Sequence, residues 1–285
     1  MVADIIILGA LWTAIYALIA IGFSLIFGVA GIMNLSHGAF YMVGSYLAYT
    51  FTANLGFGLL TAPLISVILT TAIALIAYVI LIKPMRGNLI QVLIISLALA
   101  MLLEQIVMVT FGPEPKHVPA LLQGGLTIIG VRITYQQLLA FIAALGLIIV
   151  IWVLLNKSNF GRIVRAVSQD REMAAILGVN SERVFLYVMG LSAALAAVAG
   201  ILVSPFLTVM PHMGWTPLLA GFTIVVLGGL GNIWGTLLGA VIVAYAGIIT
   251  SYTFDPQLRD AVTFAIMILA LIFKPEGLFS KGVKE

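Results

Sequence analysis

Three groups of residues in this chain have types and spacings that could do chemistry. The first is a polar stretch, 156–183, reading NKSNFGRIVRAVSQDREMAAILGVNSER. It holds eight of the charged residues in a chain that has only 13 basic and 10 acidic ones: Lys157, Arg162, Arg165, Asp170, Arg171, Glu172, Glu182 and Arg183. The second is Asn34-Leu35-Ser36-His37-Gly38, a run of donors and acceptors inside an apolar region, to which Glu104 adds an acid well inside another apolar segment. The third is the small-residue cluster Gly228, Gly229, Gly231 and Asn232.

Each group has a functional and a plainer reading. In the polar stretch, Ser168 is a candidate helix cap, and Asp170 and Glu172 place negative charge at the positive end of a helix dipole. Ala174 and its neighbours favour the helix, and Gly178 suits the position just past its end. Met173, Ile176 and Leu177 recur at i, i+3 and i+4, so they share one face. A helix over 169–177 is too short to be stable alone in water, and docking in a partner's groove would hold it. The alternative is a helix lying on the bilayer, with arginines such as Arg165 and Arg171 at the headgroups.

Asn34, Ser36 and His37, flanked by Gly38, offer dipoles and no full charge, which suits a polar patch beside a translocation path. Equally, they could cap a helix at a cytoplasmic turn, with His37 bonded to backbone. Glu104 could meet the amine of a passing solute or couple protons. An interhelical hydrogen bond is the more frequent use of such a group. The glycines either let helices pack closely or expose carbonyls along a path. With no basic residue beside them they make a poor phosphate cradle. A lone histidine is no evidence of a metal site, and the absence of cysteine excludes thiolate chemistry. Ser36 and His37 are adjacent, so on a helix they point apart, and no acid supports them as a catalytic pair.

The elements that position these residues are membrane spans. A mean hydropathy of +1.23 with 63% hydrophobic and 8% charged residues excludes a soluble domain. Apolar segments fall at about 5–30, 38–55, 60–82, 89–111, 133–155, 184–205, 217–235, 236–252 and 259–273. The first has no basic flank or cleavage site and reads as a span, not a removed signal. The expectation is an all-α, polytopic membrane protein of one domain, 1–285, with about nine (eight to ten) transmembrane helices, some broken by glycine. Lys83, Arg86, the bases of 156–183, Lys274, Lys281 and Lys284 fall on one side by parity, and Lys116, Arg132 and Arg259 on the other. The basic side is cytoplasmic, which places the N-terminus outside. The pI near 9.2 thus reports orientation and not nucleic acid. The 112–132 connection, with Pro113, Pro115 and Pro119, reads as an external loop leading into a small hairpin.

Gly22-Phe23-Ser24, running through Gly28 to Asn34, parallels Gly221-Phe222-Thr223, running through Gly228 to Asn232. Paired glycine-broken segments suggest an internal repeat, as in many transporters. No lysine follows a glycine anywhere, so a Walker A loop is impossible and the chain brings no ATPase site of its own. No Arg or Lys cluster lines the path residues, which favours a neutral or zwitterionic solute.

The spacing Glu172-Met173-Ala174-x-x-x-Gly178 resembles the Glu-Ala-Ala-x-x-x-Gly loop of ABC importer permeases. It departs from that loop at Met173 and lacks the Ile-x-Leu-Pro that ends the longer form. From end to end the chain resembles the branched-chain amino acid permease family. The likeness is carried by GFSLIFGVAGIMNLSHGAFYMVGSYLAY (22–49), GRIVRAVSQDREMAAILGVN (161–180) and GGLGNIWGTLLGA (228–240). The resemblance implies a cytoplasmic coupling helix within 156–183 that an ATPase subunit receives. It also implies two ATP-binding subunits, a second homologous permease, an extracytoplasmic binding protein and a place in the bacterial inner membrane. ATP would be used by the partners, with no cofactor on this chain. Urea, short amides or sugars would suit similar permeases, and a secondary carrier using Glu104 is the alternative from another class.

Overall fold

The computed structural model describes residues 1–58, 60–274 and 277–278; Lys281 and Lys284 lie outside the described residues. The chain runs through α1 (Val2–Ala30), α2 (His37–Tyr49), which continues as a π-helical turn (Thr50–Asn54), and α3 (Thr61–Ala77). A second π turn (Tyr78–Ile82) joins α3 to α4 (Lys83–Met85), and α5 (Leu89–Phe111) follows. A hairpin of β1 (Gly125–Ile128) and β2 (Val131–Thr134) leads into α6 (Tyr135–Lys157). Then come α7 (Asn159–Gln169), α8 (Arg171–Ile176), α9 (Ser181–Val203), α10 (Trp215–Gly228), α11 (Ile233–Thr253) and α12 (Leu258–Phe273).

A helix satisfies its own backbone groups, which is why apolar sequence of this length crosses a membrane in that form. Among the described residues, six helices are long and apolar enough to do so: α1, the continuous Thr61–Met85 helix, α5, α6, α9 and α11. The nine apolar segments read from the sequence therefore divide. Six are full-length spans, while α10 and α12 have only 14 and 16 residues, and α2 has 13 with a further 5 in its π turn. Three of the expected nine crossings thus fall on helices shorter than the six spans. At about 1.5 Å per residue, α10 covers only about 21 Å.

The core is built on α1, whose residues Ala14 to Ile26 are all buried. It packs against α6, α9, α10 and α11, and its alternation of Ala14, Ala17, Ala20 and Gly22 with larger side chains lets neighbours approach closely. The expected hairpin forms through a turn with φ +51° at Ile129 and +81° at Gly130, the left-handed pair that matches strand twist. Lys116 exchanges two 2.9 Å backbone hydrogen bonds with Val209, tying the 112–132 connection to the α9–α10 connection.

The decisive local feature is the break between α1 and α2. Gly31 ends α1 in the left-handed conformation (φ +65°), its N–H bonding to Phe27 O. The chain then turns back into the protein instead of lying at its end. His37 Nε2 lies 3.0 Å from Ile19 O, about three turns back along α1, and His37 Nδ1 lies 3.1 Å from Ser192 Oγ, about three turns into α9. Both place His37 about 16 Å from the helix ends that face the polar stretch. Residues 31–36, extended, can cover that rise. Of the two readings of Asn34, Ser36 and His37, the backbone bond expected for His37 forms, to Ile19 O, but not at a turn at the molecule's end: α2 starts deep in the protein. Polar partners make this tolerable, since no water serves backbone groups there. Leu35 N–H donates to Ser96 Oγ at 3.1 Å, Ser36 N–H to Asn34 Oδ1 at 3.1 Å, and His37 N–H to Asn34 O at 3.3 Å.

Candidate functional site

The polar stretch folds as two helices, where the sequence suggested one. Ser158 caps α7 by accepting from Gly161 N–H at 3.1 Å, and Gly161 rests directly on Leu155 O, a contact that a side chain would block. Val164 and Val167 bury the same face of α7. The spacing of Gly161, Val164 and Val167 after a serine was the available signal for this helix. Ser168 is not the cap of the next one. Its hydroxyl donates to Arg165 O, and Asp170 does the capping, accepting from Glu172 N–H and Met173 N–H, both at 2.9 Å. The helix α8 ends as its glycine suggested. Gly178 has φ +83°, its N–H bonds to Ala175 O, and Val179 N–H reaches back to Ala174 O, the two bonds of a Schellman stop.

On α8, Ala174 is buried against the body, while Met173, Ile176 and Leu177 are 58%, 78% and 81% exposed. Three neighbouring apolar side chains therefore project from a fixed, capped helix.

A charged cluster fixes the root of α8. Glu182, in the first turn of α9, takes Arg86 Nη1 at 2.9 Å and Arg171 Nη2 at 3.1 Å, with Lys83 Nζ at 3.9 Å. Arg86 also donates to Tyr78 Oη at 2.9 Å and stacks over Phe185, 3.6 Å from the ring centre. This junction puts Lys83 and Arg86 at the same end of the molecule as the polar stretch, as charge parity requires. Arg259, by contrast, is not a free loop residue: it lies over Trp12 and donates to Tyr16 Oη at 3.0 Å.

The path residues separate into two places. Asn34, Ser36 and His37 are 0–1% exposed and fully engaged in the break. Ile19 O can only accept, so His37 Nε2 carries the proton and Nδ1 accepts from Ser192. Ser36 Oγ donates to Asn34 Oδ1 at 2.6 Å and not to His37, leaving no nucleophile–base pair between these neighbours. Gly38 meets Gly214 at the start of α10, where a β-carbon on either would collide with the other's carbonyl oxygen. Gly38 and Glu104 line one narrow cleft, together with Leu35, Met42, Trp215 and Leu218. Glu104 makes the interhelical bond that its position suggested: Trp215 Nε1 donates to Oε2 at 2.7 Å, and His212 Nδ1 pairs with Oε1. His212 and Trp215 carried no warning in sequence, since their partner is more than a hundred residues away.

Gly229, Gly231 and Asn232 lie at the opposite end, beside a broad cleft that Arg165 and Asn156 also line. Gly228 packs on Gly235 and Gly231 on Gly28, so close packing accounts for these glycines. The two glycine-broken segments lie against each other, with the corresponding rings of Phe23 and Phe222 edge to face at 5.9 Å.

Apolar spans, helices that begin inside the protein, and a capped helix projecting from one end together define a multi-pass membrane permease. The match to known proteins is specific. Residues 5–271 fit the family described as the permease component of the branched-chain amino acid transport system, and the chain belongs to that family. It is 33% identical to BraD, a high-affinity branched-chain amino acid transport system permease protein of Pseudomonas aeruginosa, over 95% of this chain and 93% of that one. It is 31% identical to LivH of Escherichia coli K12, a permease protein described in the same words, over 95% and 92%. In fold it is similar to PsaBC from Streptococcus pneumoniae, solved in complex with Fab, with a TM-score of 0.53 at 14% identity over 97% of both chains.

Proposed function

We propose that this chain is the membrane permease subunit of an ATP-driven importer for branched-chain and other hydrophobic amino acids in the bacterial inner membrane. A binding protein would deliver the solute from outside, a second homologous permease would complete the path, and two ATP-binding subunits would work from the cytoplasm. The observation that carries this reading is α8: a short helix, capped by Asp170 and stopped by Gly178, that leaves Met173, Ile176 and Leu177 in the open. Exposed apolar groups on a polar, rigidly held element mark a surface that a partner covers. ATP binding would draw the partners together and displace α8. The path itself would run near the paired starts of α2 and α10, by Gly38 and Glu104, and leave toward Gly229, Gly231 and Asn232.

Glu172→Lys, which reverses charge in the first turn of α8, and Gly178→Pro, which removes the left-handed stop, are expected to abolish uptake and ATPase association while the protein still inserts. Co-purification of the ATPases and leucine uptake in proteoliposomes measure this. Normal assembly and uptake in both variants would refute the coupling assignment. A urea or short-amide permease is the second reading, since the apolar path selects weakly; the solute held by the binding protein distinguishes them.

A further inference from the structure

The carboxylate of Glu104 is held in an unusual way for a group on a membrane span. It is 12% exposed, and its two oxygens have separate partners. Trp215, the first residue of α10, donates from its indole to Oε2. His212, on the connection before α10, meets Oε1 and is itself 64% exposed. A carboxylate only accepts, so Nδ1 of His212 must carry the proton. One partner is thus anchored and the other reachable from outside. The α9–α10 connection that carries His212 is pinned by Lys116 to the 112–132 connection and closes over the cleft beneath, which Pro211 and Gly214 help to line. The rest of the lining is mostly apolar, including Leu35, Ala39, Met42 and Leu218. The cleft has room for water-sized groups over only about 10 Å³, too little for a solute while these contacts hold.

We propose that Glu104 is the ammonium-recognising carboxylate of an outer gate, and that the Nδ1–H of His212 is the internal donor standing in for the solute. The solute class is an α-amino acid with an aliphatic side chain. Its ammonium, a compact group with three donors, replaces the imidazole on Oε1, while Trp215 keeps hold of Oε2. One charge-assisted hydrogen bond is exchanged for another, so the carboxylate is never left unpaired in an apolar setting. Loss of the His212 contact frees the stretch between its anchors at Val209 and Trp215 to move aside, and the apolar wall receives the side chain. A solute without an amine cannot make this exchange. The proposal rests on the importer reading and names the recognition chemistry at its path.

The test uses the complete complex, with both permeases and both ATPases, in proteoliposomes supplied with leucine-loaded binding protein. Glu104→Gln preserves shape and removes the charge; His212→Ala removes the stand-in donor. Glu104→Gln is expected to lower ATP-driven leucine uptake by about tenfold or more, the effect of losing a charged hydrogen-bond partner, with ATPase stimulation by the binding protein retained. His212→Ala is expected to act in the opposite sense, raising ATP-independent leucine equilibration several-fold. If both substitutions loosen the complex alike, or if Glu104→Gln takes up leucine within twofold of the unsubstituted complex, the contact is only interhelical glue and the proposal is overturned. If the unsubstituted complex neither imports leucine nor shows stimulated ATPase activity, the importer reading itself falls, and the gate with it.

Discussion

His37 shows how a single buried residue can tie the helices of a membrane fold together. It is fully buried, and it bridges the backbone of α1 at Ile19 to the side chain of Ser192 on α9. His37→Ala would leave the Ser192 hydroxyl without this partner, while Ile19 O keeps its helical donor, at about 1–3 kcal/mol for the unsatisfied group. Thermal-shift measurement on the purified permease chain, without the ATPases, should show a lower Tm, while Glu172→Lys, which touches none of these groups, should leave the Tm of that chain almost unchanged. The sequence marked Asn34, Ser36 and His37 as unusual because polar residues interrupt an apolar run. It did not reveal their depth, since a cytoplasmic turn and an intramembrane break need the same residue types. Gly178 was more legible: a glycine directly after helix formers has one common use, and the left-handed stop is what forms. Ser168 and Asp170 illustrate the limit, because both are good caps. Ser168 is taken by Arg165 O within α7, which leaves the role to Asp170.

Among the elements, α8 is tied to the spans chiefly through its first residue. Arg171 shares Glu182 with Arg86, and Arg86 reaches Tyr78 at the end of the α3 assembly just before α5 begins. Displacement of α8 would therefore pull on α9 and on the turn that leads into α5, the helix that carries Glu104. Arg86→Lys keeps the charge but loses the planar fork and much of the stacking on Phe185. In the assembled complex it is expected to reduce leucine imported per ATP hydrolysed by roughly threefold or more, in keeping with the value of a partly exposed ion pair. An unchanged ratio would make the cluster a static clamp. The helical content and most segment boundaries were readable from hydropathy, because a lipid-facing backbone has few alternatives. The small helix α7 was harder to see, as its buried face is only three residues wide.

For the whole molecule, the contacts gather the basic residues at separate ends. Lys83 and Arg86 join the polar stretch through Glu182, whereas Lys116 pairs with Val209 at the other end. The chain has no cysteine, so single cysteines can report sidedness cleanly. Glu114→Cys should react with a membrane-impermeant maleimide from outside intact spheroplasts, and Ile176→Cys only after permeabilisation; the reverse pattern would invert the topology. The sequence by itself determined the membrane class, the family and the local build of the α8 terminus. These follow from composition, from spacing and from interactions within a few residues of each other. Only the tertiary structure decided that α2 and α10 start inside the protein with Gly38 against Gly214, that His37 is a structural bridge, and that Glu104 is held by His212 and Trp215. Those contacts join residues far apart in the chain, and where distant helices meet is set by how they pack, a quantity that no local pattern carries.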